Sequence, residues 1–280
     1  MSSILETLEV TFSYPGTQAN ALNKMNIRIP AGKKTAICGH NGSGKSTLFL
    51  QAIGIHAPTS GQVMWNNQPL TYTRKELKQL RQDVGLVFQD PEQQLILNTP
   101  YEDISYGLRN AGLPEAEIKQ QTEAILHTMN LTHLAQKPIH HLSLGQKKRV
   151  ALAGVLVLQP KLLLLDEPTA YLDRISEQQL LAELNRIQAN GMTLVMATHD
   201  MNLAYSWADW MLVLDQGKCV MEGTPDEIFS NSEAIKTLGL DLPMLLELWL
   251  SLPETTRQIN KAPKSIEDFK QLLEKSFACL

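Results

Sequence analysis

The chain has little of what a metal cluster, a membrane span or polyanion binding requires. Its three cysteines, Cys38, Cys219 and Cys279, are scattered over 280 residues. They have none of the short spacings of a metal site, and their sparseness suits a reducing cytoplasm. Lys and Arg form no long block and the net charge is −4, which argues against non-specific nucleic-acid binding as the main task. No uninterrupted apolar stretch reaches the ~18 residues of a membrane-spanning helix. The strongest candidates, residues 150–158 and 242–252, are too short, and the second also carries Glu247. If the task involves crossing a membrane, other chains must make the path. The N-terminus, Met1-Ser2-Ser3-Ile4-Leu5-Glu6, has no signal-peptide pattern, and no tandem repeat or low-complexity tract follows it. What the chain does have is 43% hydrophobic residues, enough core for one large domain or two small ones.

The strongest single feature is Gly39-His40-Asn41-Gly42-Ser43-Gly44-Lys45-Ser46, which fits G-x-x-x-x-G-K-[ST] at every fixed position. An apolar run, Thr35-Ala36-Ile37-Cys38, precedes it and reads as a strand. The helix formers Thr47 to Ile53 follow it. Glycines at these positions let successive backbone N–H groups turn inward around a phosphate chain, and the helix N-terminus adds partial positive charge. Lys45 is placed to reach the β- and γ-phosphates, and Ser46 to ligate Mg²⁺. The chain is therefore expected to bind a nucleoside triphosphate.

Strands are predicted near residues 8–13, 27–29, 61–65 and 84–88, and again at 162–165 and 193–197. Between residues 100 and 159 the character turns helical, with Ile118, Ile125, Leu126 and Met129 in register and Pro114, Glu115 and Glu117 at a plausible helix start. Another helix is expected near 176–189. Strands alternating with helices imply an α/β fold with a mostly parallel sheet, into which the helical section is inserted. Asp215-Gln216-Gly217-Lys218 between two apolar runs is a hairpin signal. Beyond about Pro225 the reading is helical, ending in an amphipathic tail over residues 265–277. Leu240, Leu242, Leu245, Leu246, Trp249 and Leu252 in this tail offer more apolar surface than a free helix should show. They pack either on the chain's own core or across a dimer.

A second phosphate-site signature is Leu162-Leu163-Leu164-Leu165-Asp166-Glu167. A buried strand ending in a carboxylate puts Asp166 at the carboxyl edge of the sheet, where it can hold Mg²⁺. Glu167 is then placed to orient the attacking water or take its proton. Leu142-Ser143-Leu144-Gly145-Gln146 precedes another helix. Taken alone it is a helix cap.

With all of these in order, the chain resembles the ATP-binding-cassette ATPases over about residues 4–230. Residues 142–146 are similar to the family signature Leu-Ser-Gly-Gly-Gln, Val87-Phe88-Gln89-Asp90-Pro91 to the glutamine loop, Ala170-Tyr171-Leu172-Asp173 to the D-loop, and Ala197-Thr198-His199-Asp200 to the switch histidine. Tyr14 stands where the family's adenine-stacking aromatic sits. The resemblance implies a P-loop NTPase with a RecA-like core, an N-terminal antiparallel strand region, an inserted helical subdomain over about 95–160, and a helical C-terminal extension. The nucleotide-binding domain would span 1–225 and the extension 226–280. It further implies ATP and Mg²⁺ as cofactors and a head-to-tail pair of cassettes, formed with a second copy or a paralogue. Ser143, Gly145 and Gln146 of one chain would meet ATP held by the other chain's residues 39–47. Gln89 would contact Mg²⁺ or the lytic water, and His199 the γ-phosphate. Leu144 and Tyr171 depart from the pattern, each standing where glycine is usual. Leu144 is expected to point away from the nucleotide.

Within the family, residues 88–95, 101–110 and 145–154 and the helical tail resemble the energy-coupling-factor importers, most of all the cobalt-type ATP-binding subunit. That implies a membrane coupling subunit and a small substrate-specific membrane protein as partners, and a peripheral place on the cytoplasmic face of the membrane. Cobalt rests on likeness alone, and nickel or a vitamin stay open. Translation-type cassettes usually occur in pairs in one chain. Repair-type cassettes carry a long coiled coil, whereas the stretch between Lys45 and Ser143 has no sustained heptads.

Overall fold

The computed structural model describes residues 2–259 and 261–278. Among the described residues ten strands build two sheets. Strands β1 (Ser3–Phe12), β2 (Leu22–Pro30), β4 (Ser60–Trp65) and β5 (Gln68–Pro69) form an antiparallel sheet in the order β2-β1-β4-β5. Strands β3 (Lys34–Cys38), β6 (Val84–Val87), β7 (Leu162–Asp166), β8 (Thr193–Ala197), β9 (Trp210–Asp215) and β10 (Lys218–Gly223) form the second, in the order β10-β9-β3-β8-β7-β6. All its pairings are parallel except β9 with β10.

The period-2 geometry of a strand explains why the central strands are apolar throughout. Leu163, Leu165, Leu194, Met196, Met211 and Val213 enter one core. Their alternates Leu162, Leu164, Val195, Ala197, Leu212 and Leu214 enter the other, facing the antiparallel sheet. The hairpin turn is where it was expected. Gln216 and Gly217 both have positive φ, 46° and 75°, the signature of a two-residue type I′ turn. Strand β1 begins earlier than predicted. Its register shifts between Thr7 and Val10, with Glu9 at φ 52° and Leu8 exposed, so a bulge breaks the alternation that would have revealed its first half.

Helix α1 (Lys45–Ala52) follows β3, and α2 (Arg74–Asp83) leads into β6. Between β6 and β7 come α3 (Pro100–Ala111), α4 (Glu115–Thr128) and α5 (Leu144–Leu156). Thr99 and Glu102 close a capping box on α3, with Pro100 in its first turn. Pro114 sits just outside α4 as its N-cap. Helices α6 (Arg174–Ala189) and α7 (Met201–Trp207) flank β8.

The C-terminal part holds α8 (Pro225–Ser230), α9 (Ser232–Thr237), α10 (Met244–Leu250), α11 (Glu254–Ile259) and α12 (Ile266–Ala278). Leu240, Leu242, Leu246, Trp249 and Leu272 are buried in the same core as Tyr205 and Phe229. The apolar surface of the tail is thus largely spent on the chain's own core. Met244 and Leu248 stay exposed on α10. Cys38 and Cys219 are free thiols, and Cys279 lies outside the described residues. No helix among the described residues is long and apolar enough to cross a membrane.

Candidate nucleotide site

The loop between β3 and α1 is pressed against two other segments, and that pressure dictates its glycines. Gly39 has φ 147°, and a Cβ there would lie 2.2 Å from the carbonyl oxygen of Leu214 at the end of β9. Gly44 has φ 107°, and its Cβ would meet the Ala21 carbonyl at 2.8 Å. Only glycine fits either place. Lys45, 7% exposed, donates to the carbonyls of Gly39 at 2.7 Å and His40 at 3.0 Å, so its ammonium already lies along the loop. Ser43 Oγ is buried without a hydrogen-bond partner, a donor that a phosphate oxygen would satisfy.

A cavity of about 260 Å³ brings together Tyr14, Asn41, Gly42, Gly44, Lys45, Ser46 and Thr47 with Gln89, Asp166 and Glu167. These come from four separate stretches of sequence. Ser46 Oγ donates to Asp166 Oδ2 at 2.7 Å. A hydroxyl and a carboxylate meeting at the carboxyl edge of the sheet are the hard oxygen donors that Mg²⁺ takes, alongside phosphate oxygens and water. Tyr14 Oη lies 3.1 Å from Thr47 Oγ1. The Tyr14 ring is set edge-on to Phe12 and His56 at 5.1 and 5.5 Å, and His56 stacks on Phe12 at 4.9 Å. His56 had no sequence signal, because its role is to back a ring from another part of the chain.

Glu167 is 7% exposed and has a positive φ of 44°. Its N–H donates to Ala197 O at 3.0 Å, and its Oε1 lies 3.0 Å from His199 Nδ1. The first residue past β7 and the second past β8 thus pair a carboxylate with an imidazole beside the cavity. Cys38, directly before the loop, is not a nucleophile, because burial pushes its thiol up to about 12.

The structure separates some of the predicted residues from this cavity. The His40 side chain turns away from it: its Nε2 lies 2.8 Å from the Leu238 carbonyl, at the end of α9. His40 contributes to the loop through its backbone. Ser143, Gly145 and Gln146 line a different surface. Ser143 Oγ accepts from Gln146 N at 3.3 Å, and Gln146 Oε1 accepts from Ser143 N at 3.0 Å, a closed capping box. A Cβ on Gly145 would lie 2.7 Å from Ser176 Oγ, so glycine lets the first turn of α5 lie against the start of α6. Asp173 caps α6, accepting from Ser176 N at 2.8 Å and Ser176 Oγ at 2.9 Å. Those bonds hold its carboxyl below the usual range. Tyr171 is exposed and left-handed at φ 61°, a backbone state in which glycine would be unstrained.

Two braces near Gln89 also escaped the sequence. Gln94 accepts from Phe88 N at 3.2 Å and donates to Ala151 O at 3.3 Å, and Lys147 pairs with Glu92 at 2.5 Å. Both tie the segment around Gln89 to α5. Their partners are distant in sequence, and nothing in Glu92-Gln93-Gln94 distinguishes one glutamine from the next.

The family model for ABC transporters matches residues 22–170. A putative ABC transporter ATP-binding protein of Nostoc is 51% identical, covering 92% of this chain and 94% of the relative. The energy-coupling factor transporter ATP-binding protein EcfA2 of Clostridium perfringens is 42% identical over 90% of this chain and 88% of its own length. The solved structure of CbiO1 from Clostridium perfringens, described as part of the ABC transporter complex CbiONQ, superposes with a TM-score of 0.76 at 41% identity, over 89% of this chain and all of the other. The chain therefore belongs to the ABC transporter family, as an ATP-binding-cassette ATPase of the energy-coupling-factor type.

Proposed function

We propose that this chain is the motor subunit of an energy-coupling-factor importer for cobalt ion, and that two cassettes close head to tail around two ATP molecules. The observation that carries the reading is the meeting of Lys45, Ser46, Gln89, Asp166 and Glu167 at one cavity, while the capped turn at residues 143–146 lies outside it. A site with a phosphate cradle and a base but no signature contact of its own is completed by a second chain.

In this reading the backbone N–H groups of residues 39–47 and the start of α1 bind the phosphates, and Lys45 moves its ammonium from loop carbonyls to phosphate oxygens. Tyr14, backed by Phe12 and His56, stacks the adenine. Ser46 and Asp166 hold Mg²⁺, with Gln89 beside them; the ion supplies charge neutralisation on the phosphates. Glu167 orients the lytic water and takes its proton, held in place by His199, which also faces the γ-phosphate. Ser143, Gly145 and Gln146 present the start of α5 to the partner's nucleotide. Residues 1–225 form the nucleotide-binding domain, with about 95–160 as its helical subdomain, and 226–280 form an extension.

An apolar groove of about 240 Å³ runs between Leu86 and Phe88 on one side and Gly154, Val155 and Leu158 on the other. It lies beside Gln89, where a membrane coupling subunit would sense movement of the helical section. Such a subunit, with a substrate-specific membrane protein, would keep the chain at the cytoplasmic face of the membrane. The description of CbiO1 as part of an ABC transporter complex, CbiONQ, supports assembly with other subunits, and cobalt rests on the resemblance carried by residues 88–95, 101–110 and 145–154.

The test is cobalt, nickel and vitamin accumulation in cells expressing the chain with its neighbouring membrane subunits, wild type against Glu167→Gln. Cobalt uptake lost in the variant supports the whole reading. Loss of nickel or vitamin uptake instead keeps the motor role and replaces the cargo. Equal uptake of all three by both forms, with the subunits assembled, sinks the transport role.

A further inference from the structure

Lys148 is the least expected charge in the molecule. It lies within α5, 4% exposed, and its ammonium donates to three backbone carbonyls in the segment that follows β7: Glu167 at 3.3 Å, Pro168 at 2.9 Å and Ala170 at 2.9 Å. Three donors thus meet three acceptors, and the buried charge is fully hydrogen-bonded. The segment it holds is bent. Glu167 and Tyr171 both have positive φ, 44° and 61°; the turn is closed within itself by Ala170 N to Glu167 O at 3.1 Å and Leu172 N to Thr169 O at 3.2 Å, and tied to β8 by Glu167 N to Ala197 O at 3.0 Å. Backbone held in such a state persists where its surroundings over-determine it.

We infer that Lys148 is a positioning residue that couples the two nucleotide sites of the closed dimer. It fixes the backbone of Glu167, which serves the chain's own ATP, to the helix whose first turn meets the ATP held by the partner. The inference rests on the head-to-tail dimer proposed above. Lys148 sits one helical turn beyond Ser143, Leu144 and Gly145, on the rigid helix they begin. Gly145 holds that turn against the start of α6 by its close approach to Ser176. Between them these contacts leave the signature turn and the Glu167 turn no independent motion. When the partner's ATP seats the signature turn, the carbonyl of Glu167 moves with it. A buried lysine suits this joint better than an apolar residue, which would leave the carbonyls of Pro168 and Ala170 without a donor and that of Glu167 with the Ala170 N–H alone.

The experiment uses the full chain, assembled with its membrane subunits, as wild type, Lys148→Met and Lys148→Gln, each also combined with Glu167→Gln. Lys148→Met is expected to lower kcat for ATP hydrolysis by ~10²-fold, as for a misplaced catalytic group, with KM for ATP within ~2-fold and the Hill coefficient for ATP falling toward one. Lys148→Gln, which keeps two donors, should lie between. In the Glu167→Gln background, Lys148→Met should change the residual rate by less than ~2-fold, because it acts through the residue already lost. Hydrogen exchange on the nucleotide-free chain gives a readout independent of turnover: the amides of Ala170 and Leu172 should exchange ~10-fold faster in Lys148→Met, with those of β7 unchanged. Should Lys148→Met not fold, Lys148→Gln carries the same readouts. A folded variant with wild-type kcat, an equal loss in both backgrounds, or unchanged exchange at Ala170 and Leu172 overturns the inference. Absence of turnover in the wild type overturns the proposed function instead, and the exchange result still decides whether Lys148 holds the turn.

Discussion

Replacing Gly39 with alanine separates two kinds of glycine that look alike in the motif. At Gly39 the new Cβ would lie 2.2 Å from the Leu214 carbonyl oxygen, a backbone atom of β9 that cannot rotate out of the way. The φ of 147° adds a backbone cost of about 1–3 kcal/mol, and forced overlap in packed surroundings adds about 1–3 kcal/mol. The sum is near ~4 kcal/mol, or a fall in Tm of ~10 °C at the ~2–3 °C per kcal/mol of a domain this large. Gly42 has φ 82° and nothing within 4 Å of its would-be Cβ. Alanine there meets only the left-handed penalty of about 1–2 kcal/mol, a fall of ~3 °C. Thermal unfolding of both variants without nucleotide, followed by tryptophan fluorescence, measures the difference. Falls in Tm that agree within ~2 °C would refute the claim that strand β9 fixes Gly39.

Leu144→Gly should leave ATPase activity within ~10-fold of wild type, because the capping bonds of Ser143 and Gln146 do not involve Leu144; a larger change in steady-state turnover would mean the side chain faces the nucleotide. His40→Ala removes the side-chain bond to the Leu238 carbonyl, worth about 1 kcal/mol. Hydrogen exchange across residues 235–246 should then quicken by ~5-fold, and equal rates would show that the bond does not hold the extension. Burial draws the Lys148 ammonium down to about 8 from its ordinary 10.5, so between these values the unfolded chain binds more protons than the folded one. The contribution of Lys148 to stability therefore rises with pH from about 8 toward 10.5, and is constant below. Urea unfolding across that range should show this rise in wild type relative to Lys148→Gln, and parallel curves would contradict it.

Most of the fold could be read from period and punctuation. The largely apolar strands β7 and β8, the Gln216-Gly217 turn and the loop after β3 each carry a local chemical reason for their shape. Helix α2 could not be read this way: its sequence, Arg74-Lys75-Glu76-Leu77-Lys78-Gln79-Leu80-Arg81-Gln82-Asp83, buries Leu80 and packs Leu77 beside it, an apolar stripe of only two residues that follows the Thr73 cap. Within the site, the residues whose chemistry depends on their own type and spacing were legible: Lys45, Ser46, Asp166 and Glu167. Those whose role is set by a distant segment were not. Lys148 reads as the middle of three consecutive basic residues, Lys147-Lys148-Arg149, and only the return of the chain after β7 buries it. His40 reads as a loop residue, and only the position of α9 gives its ring an acceptor.

The contact of Gly44 and Gly217 with one shared neighbour has a consequence for protein engineering. Both would place a Cβ 2.8 Å from the Ala21 carbonyl, and Gly217 also bridges Ser43 and Asn23 through its own backbone N–H and C=O. Glycine at 217 therefore answers two demands, the hairpin's geometry and the room left by its neighbours. A chimera that imports a phosphate loop from another cassette must bring the matching hairpin tip and the segment around Ala21 with it. These three pieces form one transplantable unit although they lie far apart along the chain.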